Sequence, residues 1–124
     1  MAAFDAERVS RTVTGALAGP GGIALVVNVF AGLPGVAHST ARRGPFKSRP
    51  ARLQIGDWRY EVTPDDRLRA AHVVGGIVIA EEVLLADAVG PHLARSLGQI
   101  VAGYGPAVIP NIDAAVDALS AGAG

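Results

Sequence analysis

Residues 51–62 read ARLQIGDWRYEV, with apolar and polar residues alternating on both sides of Gly56 and Asp57. A two-residue hairpin turn suits a glycine at a position that needs a positive φ. A turn at these residues sets four opposite pairs: Ile55 with Trp58, Gln54 with Arg59, Leu53 with Tyr60 and Arg52 with Glu61. Apolar pairs then share one face of the sheet and polar pairs share the other. The stretch therefore predicts an antiparallel β-hairpin with one buried face.

Residues 68–82, LRAAHVVGGIVIAEE, predict a second hairpin around Gly75 and Gly76. That turn sets these opposite pairs: Val74 with Ile77, Val73 with Val78, His72 with Ile79, Ala71 with Ala80, Ala70 with Glu81 and Arg69 with Glu82. Two alternatives stay open. One is a helix from Asp66, in which two interior glycines would cost about 2 kcal/mol relative to alanine. The other is a single strand bent or bulged at the glycines. The β-branched residues favour strands.

Three further segments have the periodicity of amphipathic helices. Each contains a residue that favours a helix start: Asp5 in residues 4–18, Asp87 in residues 87–104 and Pro110 in residues 110–121. The apolar run IALVVNVF, residues 23–30, fits a buried strand and a short buried helix equally well. The order of these elements predicts an α+β fold, in which a small antiparallel sheet built from hairpins has helices packed on one face.

A chain of 124 residues, half of them apolar, is expected to form a single domain over residues 1–124. The stretch AHSTARRGPFKSRPA, residues 37–51, has no periodicity and contains two prolines, a glycine and a cluster of bases. Such a composition predicts an irregular basic loop.

The segment from Thr12 to Ala41 carries no charged side chain, which raises the question of a membrane span. Its apolar part, IALVVNVFAGL, has only eleven residues and would cover about half of a bilayer core as a helix. The preceding GPGG would interrupt any longer span. We expect a buried segment and no stable membrane span, with a cleaved signal or an anchor as the alternative.

The composition excludes several kinds of site. Without cysteine there can be no disulfide, thiolate metal site, iron–sulfur cluster or cysteine nucleophile, and a cytoplasmic location is favoured. No phosphate-binding glycine loop and no Gly-x-Ser-x-Gly elbow is present. The sequence therefore predicts no catalytic residue, no metal and no cofactor, and it favours a protein without catalysis of its own.

His72 and Glu81 are the candidate residues of a pocket. In the predicted pairing, Glu81 lies opposite Ala70 and on the same face as His72. One histidine and one carboxylate are too few ligands for a tight metal site. The two residues are therefore a candidate for a small-molecule site between sheet and helices, the alternative being a histidine bonded to a neighbouring backbone group.

A cluster of bases is the second candidate site. Five cations occur within eleven residues, with Phe46 among them: Arg42, Arg43, Lys47, Arg49 and Arg52. Residues 1–52 hold seven Lys/Arg and two acids, a balance of +5, so the remainder of this neutral chain carries −5. Such a segment is either a solvated loop or an anion-contacting surface for nucleic acid or acidic lipid.

Residues 68–97, LRAAHVVGGIVIAEEVLLADAVGPHLARSL, resemble the small proteins of mycobacteria and related actinobacteria that are classed as domains of unknown function. The resemblance extends over about residues 52–121 and implies no catalytic residue. The lack of converging acid, base, nucleophile or metal residues, together with the many apolar segments, favours a non-catalytic binding module that forms a homo-oligomer or binds another protein. The alternatives are anion contact through residues 42–52 and a small-molecule site or enzyme near His72.

Overall fold

The computed structural model describes residues 4–39, 42–43, 48–49 and 52–123 and has an α+β fold. The elements are α1 (Ala6–Ala18), α2 (Gly22–Ala31), β1 (Val36–Ser39), β2 (Arg42–Arg43), β3 (Ser48–Arg49), β4 (Arg52–Ile55), β5 (Trp58–Val62), β6 (Leu68–Val74), β7 (Ile77–Leu84), α3 (Ala86–Tyr104), a 3-10 turn (Pro106–Val108) and α4 (Ile109–Ala123). The predicted fold class, with an antiparallel sheet built from hairpins, is confirmed.

Five strands form the main sheet in the order β1-β4-β5-β6-β7, and every neighbouring pair is antiparallel. The hairpin over residues 52–61 has all four predicted pairs, from Ile55 with Trp58 to Arg52 with Glu61. The alternation of residue types was sufficient here because the turn and the buried face demand the same register.

The helices cover one face of this sheet, which we call the inner face. Its buried side chains include Leu53, Ile55, Tyr60 and Leu68. Helices α2 and α3 contact the sheet, and α1 packs against the other three helices. The α1–α3 packing is close at Gly90, where an added Cβ would lie 2.5 Å from the carbonyl oxygen of Ser10.

Residues 23–30, for which strand and helix were both open, belong to helix α2. Its buried residues follow helical spacing: Ile23, Val26, Val27 and Phe30. The helical spacing could not be recognised in the sequence, because the residues between these positions include Leu25 and Val29. Both are also apolar, and both lie partly buried against the core.

Two of the predicted helix starts are displaced. Helix α1 does begin after Asp5, whose carboxylate accepts a hydrogen bond from the Arg8 backbone N–H at 3.0 Å. Helix α3, however, begins after Leu85, and Asp87 lies in its first turn. An acid in that position still interacts favourably with the helix dipole. Helix α4 starts at Ile109, one residue before Pro110.

The predicted irregular loop over residues 37–51 contains strands in its described parts. Residues 37–39 belong to β1, which pairs with β4, and β2 pairs with β3 as a separate two-stranded ladder. For β1, pairing with β4 outside the segment supplies the backbone hydrogen bonds, and the local composition does not reveal that partner.

Candidate functional site

The β6–β7 hairpin projects beyond the rest of the sheet. Strand β5 begins at Trp58, opposite His72, so the following residues of β6 have no partner on that side except one hydrogen bond from the Val73 N–H to the Asp57 carbonyl oxygen at 2.7 Å. We call the projecting segment Val73–Ile79 the finger. Its large side chains are unusually exposed: Val74 49%, Ile77 67%, Val78 41% and Ile79 59%.

The finger turns at Gly75 and Gly76, which have φ angles of 59° and 80°. Positive φ at both central residues defines the two-residue turn that best matches the twist of a hairpin. The predicted hairpin is therefore correct, and so are its two outermost pairs, Val74 with Ile77 and Val73 with Val78.

The remaining predicted pairs of this hairpin are wrong by one residue. The register shifts between His72 and Val73, because Ile79 is an extra residue in β7. The actual pairs are His72 with Ala80, Ala71 with Glu81, Ala70 with Glu82 and Arg69 with Val83. Since strand side chains alternate between faces, one inserted residue exchanges the faces of all the residues beyond it.

This shift separates the predicted pocket residues. His72 lies on the inner face, whereas Glu81 lies on the opposite, outer face. There Glu81 is 3.7 Å from Arg69 and ends a row of ion pairs across four strands: Arg52–Glu61, Arg69–Glu61 and Arg69–Glu81. Exposed pairs of this kind are each worth about 0–1 kcal/mol. The carboxylate on the His72 face is that of Glu82.

His72 instead belongs to an aromatic cluster between the sheet and α3. Its ring stacks on Trp58, with ring centroids 4.7 Å apart and planes at 12°. The ring of His92, from α3, meets Trp58 edge-on at 4.4 Å and Tyr60 edge-on at 5.4 Å. Trp58, His72 and His92 are partly buried, and Tyr60 is fully buried.

A hydrogen-bonded row lies beneath this cluster. The Tyr60 hydroxyl is 2.6 Å from Nδ1 of His92 and 2.5 Å from Oγ of Ser96, which is buried one turn further along α3. With a neutral His92 as acceptor, Tyr60 donates to Nδ1 and Ser96 donates to Tyr60. Every polar atom of the row then has a partner.

The electrostatics favour the uncharged forms of the Tyr60 hydroxyl and the His92 ring. Burial raises the pKa of the Tyr60 hydroxyl well above its usual range. Burial also lowers the pKa of His92, and the nearby Arg95 acts in the same direction, while Glu82 opposes them. The groups of this row are thus favoured in their uncharged forms. The ring nitrogen of His92 that takes part in the row is Nδ1.

The sequence reasoning missed this cluster, although it had placed Trp58 and Tyr60 correctly in the sheet. The missing information was the position of α3, which brings His92 and Ser96 over the inner face. A histidine and a serine four residues apart on a predicted helix were the available signal. In the part of the chain that the structure describes, no three His, Asp or Glu residues are grouped to hold a metal ion.

A cleft of about 480 Å³ lies at the other end of the β6–β7 hairpin, where Leu68 pairs with Leu84. Its walls come from the α1–α2 connection, the β5–β6 turn and the start of α3. Its apolar lining includes Leu17, Ile23, Leu68, Leu84, Leu85 and Val89. Asp66 and Arg67 are charged lining residues of opposite sign. Leu85 is 65% exposed.

The predicted basic cluster is only partly described. Arg42 and Arg43 form β2, Arg49 ends β3, and Lys47 lies outside the described residues. Arg52 donates hydrogen bonds to Glu61 at 2.8 and 3.2 Å, so its charge is already matched. Because β1 ends and β4 starts at the sheet end away from Gly56, this segment is attached at the end opposite to the finger.

Over the described ranges, no helix combines the length and the apolar character needed to cross a membrane.

No curated protein and no solved structure matches the chain. A family match does exist, and it covers residues 1–121, which is more of the chain than the resemblance found at residues 52–121. The chain belongs to the family described as "Domain of unknown function (DUF5073)".

Proposed function

We propose that this chain is a non-catalytic binding module, one domain over residues 1–124, that contacts another protein or a second copy of itself through the finger. The observation that supports this proposal is the exposure, between 41% and 67%, of four large aliphatic side chains within this one seven-residue segment. Contiguous exposed apolar patches with a polar surround mark interaction sites in proteins of this size. The acids Glu81 and Glu82 supply the polar border on β7.

The test is the double substitution Ile77→Glu with Ile79→Glu. Both side chains are more than half exposed, so the fold is expected to survive, as far-UV circular dichroism would check. Light scattering and affinity capture of the natural partner should then show a loss of association. Tyr104→Lys is the matched control, because Tyr104 is equally exposed and a cation suits the end of a helix. Association that survives the double substitution would contradict the proposal.

Anion contact through residues 42–52 is a second candidate function. It is supported by the excess of five positive charges in residues 1–52. Affinity for RNA, DNA or acidic vesicles should fall steeply with salt, and Arg42→Ala with Arg43→Ala should weaken it. Binding that does not respond to salt, or no binding in gel-shift and liposome assays, would remove this candidate.

A small-molecule site at the aromatic cluster is a third candidate. The partly buried rings of Trp58, His72 and His92 support it, and Glu82 takes the place that Glu81 had in the sequence prediction. Quenching of the fluorescence of Trp58, the chain's single tryptophan, would detect a ligand. A ligand signal that is unchanged by His72→Ala would contradict this site.

We propose a cytoplasmic location, which the absence of cysteine supports. The resemblance of residues 68–97 supports an origin among mycobacteria and related actinobacteria. Fractionation of cells that make the protein would test the location.

A further inference from the structure

Glu82 and His92 approach each other from two sides of the inner face. Glu82 lies opposite Ala70 on β6, and Ala70 lies opposite Tyr60 on β5, whose hydroxyl contacts His92. Neighbouring strands are about 4.8 Å apart, which places the backbone of Glu82 about 10 Å from that of Tyr60. Among the described residues Glu82 has no ion pair, whereas Glu81 on the outer face is paired with Arg69.

His92 is held at one ring nitrogen only. Its Nδ1 is 2.6 Å from the Tyr60 hydroxyl, and in the described part of the chain its Nε2 has no hydrogen-bond partner. With Nδ1 as the acceptor, the neutral ring carries its hydrogen on Nε2. The side chain is only partly buried, so a proton from solvent can reach the ring.

The hydrogen-bonded row can run in two directions. With a neutral His92, Ser96 donates to Tyr60 and Tyr60 donates to Nδ1. A proton on Nδ1 makes that nitrogen a donor, so the Tyr60 hydroxyl must accept from His92 and donate to Ser96 instead. Ser96 lies four residues after His92 in α3, and a helical serine can donate to the carbonyl oxygen four residues back. Every polar group of the reversed row then has a partner.

The groups that face His92 have opposing effects on its charge. Burial and the neighbouring Arg95 on α3 disfavour the charged ring, whereas Glu82 on β7 favours it. Tyr60 on β5 stays neutral, because burial raises the pKa of its hydroxyl. His72 on β6 is a second titratable ring of the cluster. Glu82 is therefore the acid that can neutralise a proton on His92.

We propose that His92 and Glu82 form a proton-operated latch between α3 and β7. When His92 takes up a proton from solvent at Nδ1, the row reverses and the charged ring pairs with the Glu82 carboxylate. Glu82 lies three residues after Ile79, the last residue of the finger, so the latch attaches the base of the finger to α3 in mildly acidic solution. This inference goes beyond the proposed function, because it concerns the attachment of the finger and not its partner.

Titration of the histidines by NMR between about pH 7.5 and 5 tests the counter-charge. Glu82→Gln should lower the midpoint of His92 by about 0.2–0.7 pH units, as expected for an ion pair with an exposed partner. Glu81→Gln is the matched control, because Glu81 is the adjacent acid and lies on the outer face. It should leave the midpoint nearly unchanged. The signal of His92 is assigned by its loss in His92→Gln.

Ser96→Ala tests the reversal of the row. Without Ser96, the neutral row still has the bond from Tyr60 to His92, but the reversed row leaves the Tyr60 hydroxyl hydrogen without an acceptor. Protonation of His92 should therefore become more difficult, and its midpoint should fall by roughly one pH unit. A Ser96 that merely fills space would leave the midpoint unchanged, and circular dichroism would check the fold.

Two further readouts report on the latch. Trp58, the chain's single tryptophan, contacts the His92 ring, so its emission should change at the same midpoint as the NMR signal. Amide hydrogen exchange compares the two glutamate variants at equal pH. Below the midpoint of His92, the β7 amides should exchange more slowly in Glu81→Gln than in Glu82→Gln, and above it the two variants should be equal.

Three outcomes overturn the latch. They are equal His92 midpoints in Glu82→Gln and Glu81→Gln, a midpoint that Ser96→Ala does not lower, and equal exchange of the β7 amides in the two glutamate variants below the midpoint. None of these measurements requires association of the finger. A latch that fails therefore leaves the proposed function intact, and a finger that binds no partner leaves the latch intact.

Discussion

Tyr60 is the residue at which the sheet and helix α3 are joined by polar atoms. Its hydroxyl contacts both His92 and Ser96 within the apolar core. A buried hydroxyl without a partner costs about 1–3 kcal/mol, whereas replacing both partners of a hydrogen bond by apolar groups is nearly neutral. The energy of this contact therefore depends on whether one or both partners are removed.

Tyr60→Phe is expected to lower the free energy of unfolding by about 1–3 kcal/mol, because it leaves the buried Ser96 hydroxyl without its partner. Ser96→Ala alone should have an effect of similar sign. The double variant should lose less stability than the sum of the two single losses. Urea denaturation of the four proteins gives the double-mutant cycle. Additive losses would mean that the two hydroxyl groups do not share a bond.

His92 should make the stability depend on pH. Its pKa in the folded protein is lowered below the value of about 6.5 that holds in an unfolded chain. The unfolded state therefore binds the proton more readily, and the free energy of unfolding falls as the pH drops through 6.5 towards the folded-state pKa. Thermal unfolding between pH 7.5 and 5.5 should show this decrease, and His92→Gln should flatten it. An equal slope in the His92→Gln variant would assign the dependence to other groups.

At the scale of elements, the contact between α1 and α3 depends on a missing side chain. An added Cβ at Gly90 would lie 2.5 Å from the Ser10 carbonyl oxygen and 2.8 Å from Oγ1 of Thr14. The carbonyl is backbone and cannot swing away, so the two helices would have to move apart. Gly103, in the same helix, has no atom within 4 Å of an added Cβ.

Gly90→Ala should therefore destabilise the protein by about 1–3 kcal/mol through overpacking. Gly103→Ala should stabilise it by up to about 1 kcal/mol, because alanine has the higher helix propensity. Thermal unfolding of the two variants is a matched comparison within one helix. A stabilising Gly90→Ala would show that α1 and α3 are not in the close contact described.

The elements that were predictable are those with local signals. The Gly56–Asp57 hairpin had a turn residue and an alternation that agreed, and α1 had a cap followed by periodic apolar residues. The extra residue Ile79 had no such signal, since its neighbours Val78 and Ala80 are also small or aliphatic and fit either register. For the same reason the faces of Glu81 and Glu82 were exchanged, and with them the predicted pocket.

At the scale of the whole molecule, the finger stands apart from the core. None of its side chains is buried, whereas the core lies between the inner face and the helices. The buried and the exposed apolar side chains thus belong to different parts of the same hairpin. The sequence showed the apolar content of both parts but could not separate them, because exposure depends on where strand β5 begins.

Replacing residues 73–79 by a two-residue Asn-Gly turn, which keeps His72 opposite Ala80, is expected to leave the fold in place. The loss is limited to a few aliphatic contacts within the finger and the hydrogen bond between Val73 and Asp57. The melting temperature should fall by only a few degrees, because about 1 kcal/mol corresponds to a shift of roughly 4–8 °C in a domain of 60–100 residues and to a smaller shift in a larger one. Light scattering should show that association is lost. Global unfolding on shortening would mean that the finger is part of the folding unit.

The extra residue Ile79 reverses the alternation of side chains between the two faces of the sheet within β7. The residues of β7 before Ile79 and those after it follow opposite alternations between the inner and the outer face. The length of the finger therefore does not determine which side chains the rest of the strand presents to the inner face. Residues can enter or leave the tip two at a time, one on each strand, without moving Leu84 from the core or Glu81 from its arginine. Relatives in this family should therefore differ in the length of this hairpin in even steps, and an alignment of their sequences can be inspected for that parity.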